Sequence, residues 1–297
     1  RLMQLGEAFF AMPTANIPQA CATQAATKAA YRFFDNDQVR MMAILQPHFE
    51  ATEQRIGKYP IVLVAQDTST LNYTHHPTTE GLGPINTMED KNVGLLLHDT
   101  MAFTPQGTPL GLLDVQCWAR DPAEAGKRHQ RHDKTIEEKE SYKWLKSYRN
   151  VCAVQARCPK TQFIVMADRE ADIHELFAEY LQTPKRAELL IRAERSRNRN
   201  VADEEQQVQR LWPCLQAMTS AGTIELMVPP RQGRPSRLAI LEVRFAPLTL
   251  QAPRRKSSMP EVAIHAVYAK EIDAPADVEE PIEWMLLSTL PVRTFQE

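Results

Sequence analysis

The sequence predicts an α/β protein: a mixed sheet carrying a β-rich insertion, preceded by a small helical N-terminal region. Three observations predict it. Helix-forming stretches fill residues 1–56, apolar strand-like runs alternate with helical patterns over residues 57–195, and further strand-like runs crowd residues 196–297. With 297 residues, 43% of them hydrophobic, the chain has ample material for a core. No run approaches the roughly 18 apolar residues of a membrane span, and the opening RLMQLGEAFF lacks a signal-peptide pattern. The five cysteines are scattered, with no CxxC pair, and read as reduced thiols rather than a disulfide frame or zinc site.

Taken in order, residues 22–34 (ATQAATKAAYRFF) are rich in helix formers, and a second helix is expected over 37–51 after the turn Asp35, Asn36, Asp37. Residues 61–65 form an apolar strand that should end at Gln66 and Asp67. The loop HHPTTEGLGPIN follows, punctuated by Gly and Pro. VGLLLHDTMAF and PLGLLDVQCWA, separated by Thr104, Pro105, Gln106, Gly107 and Thr108, read as a hairpin. A charged amphipathic helix is expected over 134–148, then the strand QFIVMA, a helix over 171–181 and the strand AELLIRA. Three strands, a helix, a strand, a helix and a strand is the succession of a ribonuclease-H-like sheet.

Mixed sheets of this kind hold ligands at the carboxyl ends of their strands, where Asp67 and Asp168 both fall. Asp168 alone has a simpler reading, as the N-cap of the helix that follows it. That reading leaves Asp67 unexplained. Two carboxylates a few ångströms apart repel unless a cation lies between them or one is protonated. Hard oxygen ligands with no His or Cys beside them suit Mg²⁺ or Mn²⁺, and a two-metal site of that kind activates phosphodiester chemistry. His75, His76 and His98 have no metal-ligand spacing and read as structural.

The net charge of −2 hides an asymmetry. Residues 185–256 hold fourteen Lys/Arg against seven Asp/Glu, a local +7, which leaves −9 on the remainder. A basic segment on an acidic body is a footprint of polyanion binding.

The stretches AYRFF, QDTSTLNY, EEKESYKWL, DREADIHEL and IEWMLLSTLPV occur in that order over nearly the whole chain. Together they resemble the bacterial DDE transposases of the insertion-sequence-four family, of the transposon-five type. The resemblance implies a cut-and-paste enzyme that nicks a transposon end, forms and reopens a DNA hairpin, and joins the end to target DNA. It implies Asp67 and Asp168 as the first two catalytic metal ligands, a two-metal Mg²⁺ or Mn²⁺ site, and double-stranded transposon-end and target DNA as partners. It further implies a homodimer in the complete protein, a cytoplasmic, nucleoid-associated location and no membrane association. Residues 1–56 would be an incomplete DNA-binding region, 57–195 the first part of the catalytic core, and 196–297 the β-rich insertion returning towards the core.

Arg192, Arg195, Arg197 and Arg199 follow the fifth strand where relatives grip the DNA backbone, or else form a solvated loop. Trp284 matches a tryptophan on which relatives stack a flipped base, or else is a core residue. Glu170 and Asp172 are expected to orient the helix start rather than bind metal. The family's third carboxylate, a Glu on a later helix, has no counterpart before Glu297, and the dimerisation helices are also missing. The chain is therefore expected to be an incomplete and inactive transposase, with a DNA-binding remnant as the alternative and an unrelated metal-dependent nuclease as a third possibility.

Overall fold

The computed structural model describes residues 1–76, 78–86, 91–124, 134–230, 235–276 and 278–297. Pro77 of the expected loop, and Arg231 and Arg234 of the basic segment, lie outside the described residues. Compact packing divides the chain into residues 1–54 and 55–297.

The first unit is helical. Helices α1 (Leu2–Ala11), α2 (Ile17–Cys21) and α3 (Gln24–Phe34) are followed by α4 (Met41–Ile56), which starts in this unit and ends in the next. The helix expected over 22–34 begins two residues late. Ala22 is left-handed at φ 58°, which closes α2, and the Thr23 side chain accepts from the Ala26 amide to cap α3. Helix α4 starts four residues later than expected, because the Asn36 side chain and carbonyl take the Gln38 and Val39 amides into a turn. Leu5, Cys21 and Ala30 form the small core, flanked by Phe9, Ile17, Ala26 and Phe33.

The second unit is built on one twelve-stranded mixed sheet. Its first part contains β1 (Ile61–Asn72), the short β2 (Gly83–Pro84), β3 (Val93–Phe103), β4 (Pro109–Trp118), α5 (Tyr142–Arg157), β5 (Gln162–Ala167), α6 (His174–Gln182) and β6 (Glu188–Arg192). Strands β4, β3 and β1 form an antiparallel meander, which β5 and then β6 extend in parallel. The rest contains β7 (Asn200–Ala202), β8 (Val208–Arg210), α7 (Leu211–Ala217), β9 (Gly222–Val228), β10 (Arg237–Leu250), β11 (Val262–Ile272) and β12 (Glu283–Ser288). Strand β12 joins the two parts, pairing antiparallel with β6 on one side and β11 on the other.

Alternation places Val62 and Val64 of β1, Phe163 and Val165 of β5, and Leu189 and Ile191 of β6 on one buried face. Against it lie Trp144, Tyr148 and Val151 of α5 and Leu176 and Phe177 of α6. The Tyr148 hydroxyl is satisfied by the Ala187 carbonyl at 2.7 Å. The helix expected over 134–148 is shifted to Tyr142–Arg157. Glu138 accepts from the Thr135 amide and Glu140 pairs with Arg120, so the charged run EEKES forms turns, and the apolar face continues through Val151 and Val154 instead.

One boundary bears directly on function. The strand expected over 61–65 runs on to Asn72, so Asp67 is mid-strand and not at a strand tip. Thr68, Ser69 and Thr70 keep their antiparallel partners His98, Leu97 and Leu96, and β-branched threonines suit that extended backbone. What ends at Gln66 is the parallel pairing with β5.

Candidate active site and nucleic-acid interface

The parallel register of β1 and β5 closes with Gln66 opposite Ala167, and the next step along both chains is Asp67 beside Asp168. Both carboxylates are exposed, and neighbouring strands of a sheet run about 4.8 Å apart. Asp168 also caps the short turn after β5, accepting the Glu170 amide at 2.9 Å. Capping and ligation are compatible, since a carboxylate has lone pairs left after one hydrogen bond.

The row extends to both sides. Across β3, Asp99 is the direct partner of Asp67. Burial, and next the Asp67 charge, push the Asp99 carboxyl above its ordinary range. Sequence reasoning missed Asp99; its signal is the hairpin register, visible only once β1 is allowed to run past Asp67. On the other side, the β5 and β6 register ends with Ala167 opposite Ile191, so Arg192 follows beside Asp168. Arg192 is half-buried, feels the charges of Arg169 and Asp168, and holds its guanidinium 5.8 Å from the Trp284 ring centroid. Trp284 is half-buried on β12, whereas its neighbours Met285 and Leu287 are buried in the main core. Carboxylates, a guanidinium and an aromatic ring therefore lie along one line across the sheet.

The three remaining arginines have separate fates. Arg195 is exposed, pairs with Glu283 and stands 5.0 Å from the Trp212 ring centroid. Arg197 is exposed. Arg199 is turned inward: its Nε donates to Asp172 at 2.7 Å, its Nη2 donates to the Asp172 carbonyl, and Asp172 also takes the Glu194 amide. With Asp172 only 1% exposed, that pair belongs to the interior. Glu170 reaches the buried Lys143 at 3.1 Å.

Among the described residues no group of three His, Cys, Asp or Glu side chains is arranged to hold a metal. The donor set on offer is a carboxylate pair. It fits Mg²⁺ or Mn²⁺, which bind through one or two carboxylates and complete their shells with water and phosphate oxygens. In the first unit, Lys28 and Arg32 are one turn apart on an exposed face of α3 and line a shallow hollow with Arg1, Ala25, Ala29 and Phe33. Among the described residues no helix is long and apolar enough to cross a membrane.

One solved structure, described as the piggyBac transposase synaptic complex with hairpin DNA, is similar at a TM-score of 0.35 and 9% identity, covering 94% of this chain and 53% of that one. This chain thus spans about half the length of that protein. Residues 1–39, which contain α1 to α3 and the basic hollow, match the family model described as Transposase DNA-binding.

Proposed function

We propose that this chain is a DNA transposase of the DDE type, in the insertion-sequence-four family, with a ribonuclease-H-like core. The observation that carries the proposal is that Asp67, Asp168 and Arg192 directly follow the last register pairs of β1 with β5 and of β5 with β6, with the Arg192 guanidinium beside the Trp284 ring. The strand order, an antiparallel meander extended by parallel strands through helices, supports the core assignment. The family match at residues 1–39 supports DNA as the partner.

In this reading Asp67 and Asp168 are the protein ligands of a two-metal Mg²⁺ or Mn²⁺ centre. Ions bound there supply activation of the attacking oxygen and neutralise charge at the leaving oxygen of a phosphodiester. Arg192 orients a phosphate beside Asp168, using the forked donors of its guanidinium. Trp284 offers an aromatic platform for a base taken out of the stack, as hairpin formation at a transposon end requires. Arg195 and Arg197, with Lys28 and Arg32 of α3, hold the backbone of end DNA and target DNA. A homodimer bound at paired ends in bacterial cytoplasm, as the sequence resemblance implies, belongs to the same proposal.

Binding to a labelled inverted-repeat duplex, measured across salt concentrations against a scrambled duplex, tests this reading. Arg195→Ala with Arg197→Ala is expected to weaken binding to both duplexes and to reduce the salt slope by about one for each phosphate that is no longer neutralised. Equal affinity for both duplexes in the unaltered protein would favour a general nuclease. In a completed enzyme, Trp284→Ala is expected to impair hairpin formation more than first-strand nicking, and equal loss of both with a lowered Tm would mark it as a packing residue.

A further inference from the structure

The surplus of positive charge over residues 185–256 divides into cations that the protein neutralises itself and cations that it does not. Arg195 pairs with Glu283, Arg199 with Asp172, Arg237 with Glu271, Arg244 with Glu242 and Lys256 with Glu175. Arg197, Arg254 and Arg255 are exposed and make no ion pair among the described residues.

Arg254 and Arg255 stand on the connection between β10 and β11, where Arg254–Lys256 forms a short 3-10 turn closed by the Lys256 amide on the Pro253 carbonyl at 2.7 Å. Between Glu242 and Glu261 the chain holds no acid. The connection is fastened to the start of α6: Lys256 pairs with Glu175, and His174 Nε2 lies 2.8 Å from the Pro260 carbonyl. The turn that holds Arg197 is fastened close by, since Arg199 and the Glu194 amide both meet Asp172. Both basic turns therefore converge on the segment 172–175, which follows Asp168 directly along the chain.

Outward-facing acids would oppose a polyanion at this place, and three of the local ones are engaged. Asp172 and Glu175 are held by Arg199 and Lys256, and Glu170 reaches the buried Lys143. The guanidiniums of Arg197, Arg254 and Arg255 keep their full charge and their forked donors, which match phosphate oxygens.

We propose that the Arg254–Lys256 turn is a second phosphate-gripping element for duplex DNA, in which Arg254 and Arg255 continue the contact begun at Arg197. This rests on the DNA-binding reading above and extends it to residues that the sequence resemblance leaves without a role. Contacts to phosphate position a duplex and carry no sequence information, so the turn acts on end DNA and unrelated DNA alike.

The test is binding of the full chain to a labelled duplex of scrambled sequence across salt concentrations, with Tm measured on every variant. Arg254→Ala with Arg255→Ala is expected to weaken binding and to reduce the salt slope by about two, at unchanged Tm. Lys58→Ala with Lys160→Ala removes the same charge from exposed positions at the opposite end of β1 and β5, just before Ile61 and Gln162, and is expected to leave the slope as it is. An equal fall in slope from both pairs would reduce the effect to net charge and overturn the proposal. A slope lowered by Arg195→Ala with Arg197→Ala but untouched by Arg254→Ala with Arg255→Ala would overturn the second element and spare the DNA-binding reading. An unaltered protein without salt-dependent binding would overturn both.

Discussion

In a form of the protein made cleavage-competent by adding the third-carboxylate helix of a relative, Asp168→Asn is expected to lower metal-dependent cleavage of transposon-end DNA by roughly three orders of magnitude, about 4 kcal/mol of transition-state stabilisation, without lowering Tm. The substitution isolates charge from structure. Asn is as good an N-cap as Asp, so the bond from the Glu170 amide survives and the turn after β5 stays closed. The amide is a much poorer ligand for a hard divalent ion than the carboxylate. A residue that only caps would tolerate the change, so cleavage at the unaltered rate would return Asp168 to a capping role. Asp67→Asn is expected to lower cleavage equally and to leave a second mark. Removing the Asp67 charge lets the Asp99 carboxyl fall towards its ordinary range, although burial, the larger cause, still holds it up. Titration of Asp99 followed by NMR measures that shift.

Asp172→Ala is expected to destabilise the protein by about 3–5 kcal/mol, because it strands the Arg199 guanidinium in the interior without its carboxylate. The Glu194 amide loses its acceptor at the same time. For a protein of this size the effect corresponds to a fall in Tm of roughly 10 °C. Arg199→Met, which keeps most of the side-chain volume, leaves a buried carboxylate uncompensated and is expected to act in the same direction. Both variants are read by thermal unfolding beside a DNA-binding salt titration. If Arg199→Met flattens the salt slope while Tm stays put, Arg199 grips DNA and the interior pair is dispensable. The expected pattern is the reverse, and it divides Arg199 from Arg195 and Arg197, which stand at the surface.

Much of this arrangement is legible in the sequence, and the exceptions have physical reasons. The apolar runs 61–65 and 162–167 announce buried strands, and an aspartate within two residues of the end of each is conspicuous because carboxylates are seldom buried unpaired. Pattern alone does not say where β1 stops. Thr68, Ser69 and Thr70 read equally well as a turn, and only their pairing with β3 keeps them extended. The same ambiguity hides Asp99, since register sets its position opposite Asp67 and register depends on where the strands overlap. Arg199 groups with its neighbours in the sequence because a run of alternating arginines looks uniform. Its partner Asp172 lies 27 residues earlier, in a motif whose acids read as solvation of a helix start. His98 reads as structural from spacing, and its hydrogen bond with Thr68 crosses 30 residues of chain.

The most direct measurement of the central claim is a crystal of the protein grown or soaked with Mn²⁺, using the anomalous signal of the ion. The aspartate-pair reading predicts a peak between β1 and the end of β5, about 2.0–2.2 Å from one oxygen of Asp67 and one of Asp168, and absent from crystals of Asp67→Asn. Anomalous density that touches neither carboxylate, or Asp67 and Asp168 side chains directed away from each other at full Mn²⁺ occupancy elsewhere, would contradict it.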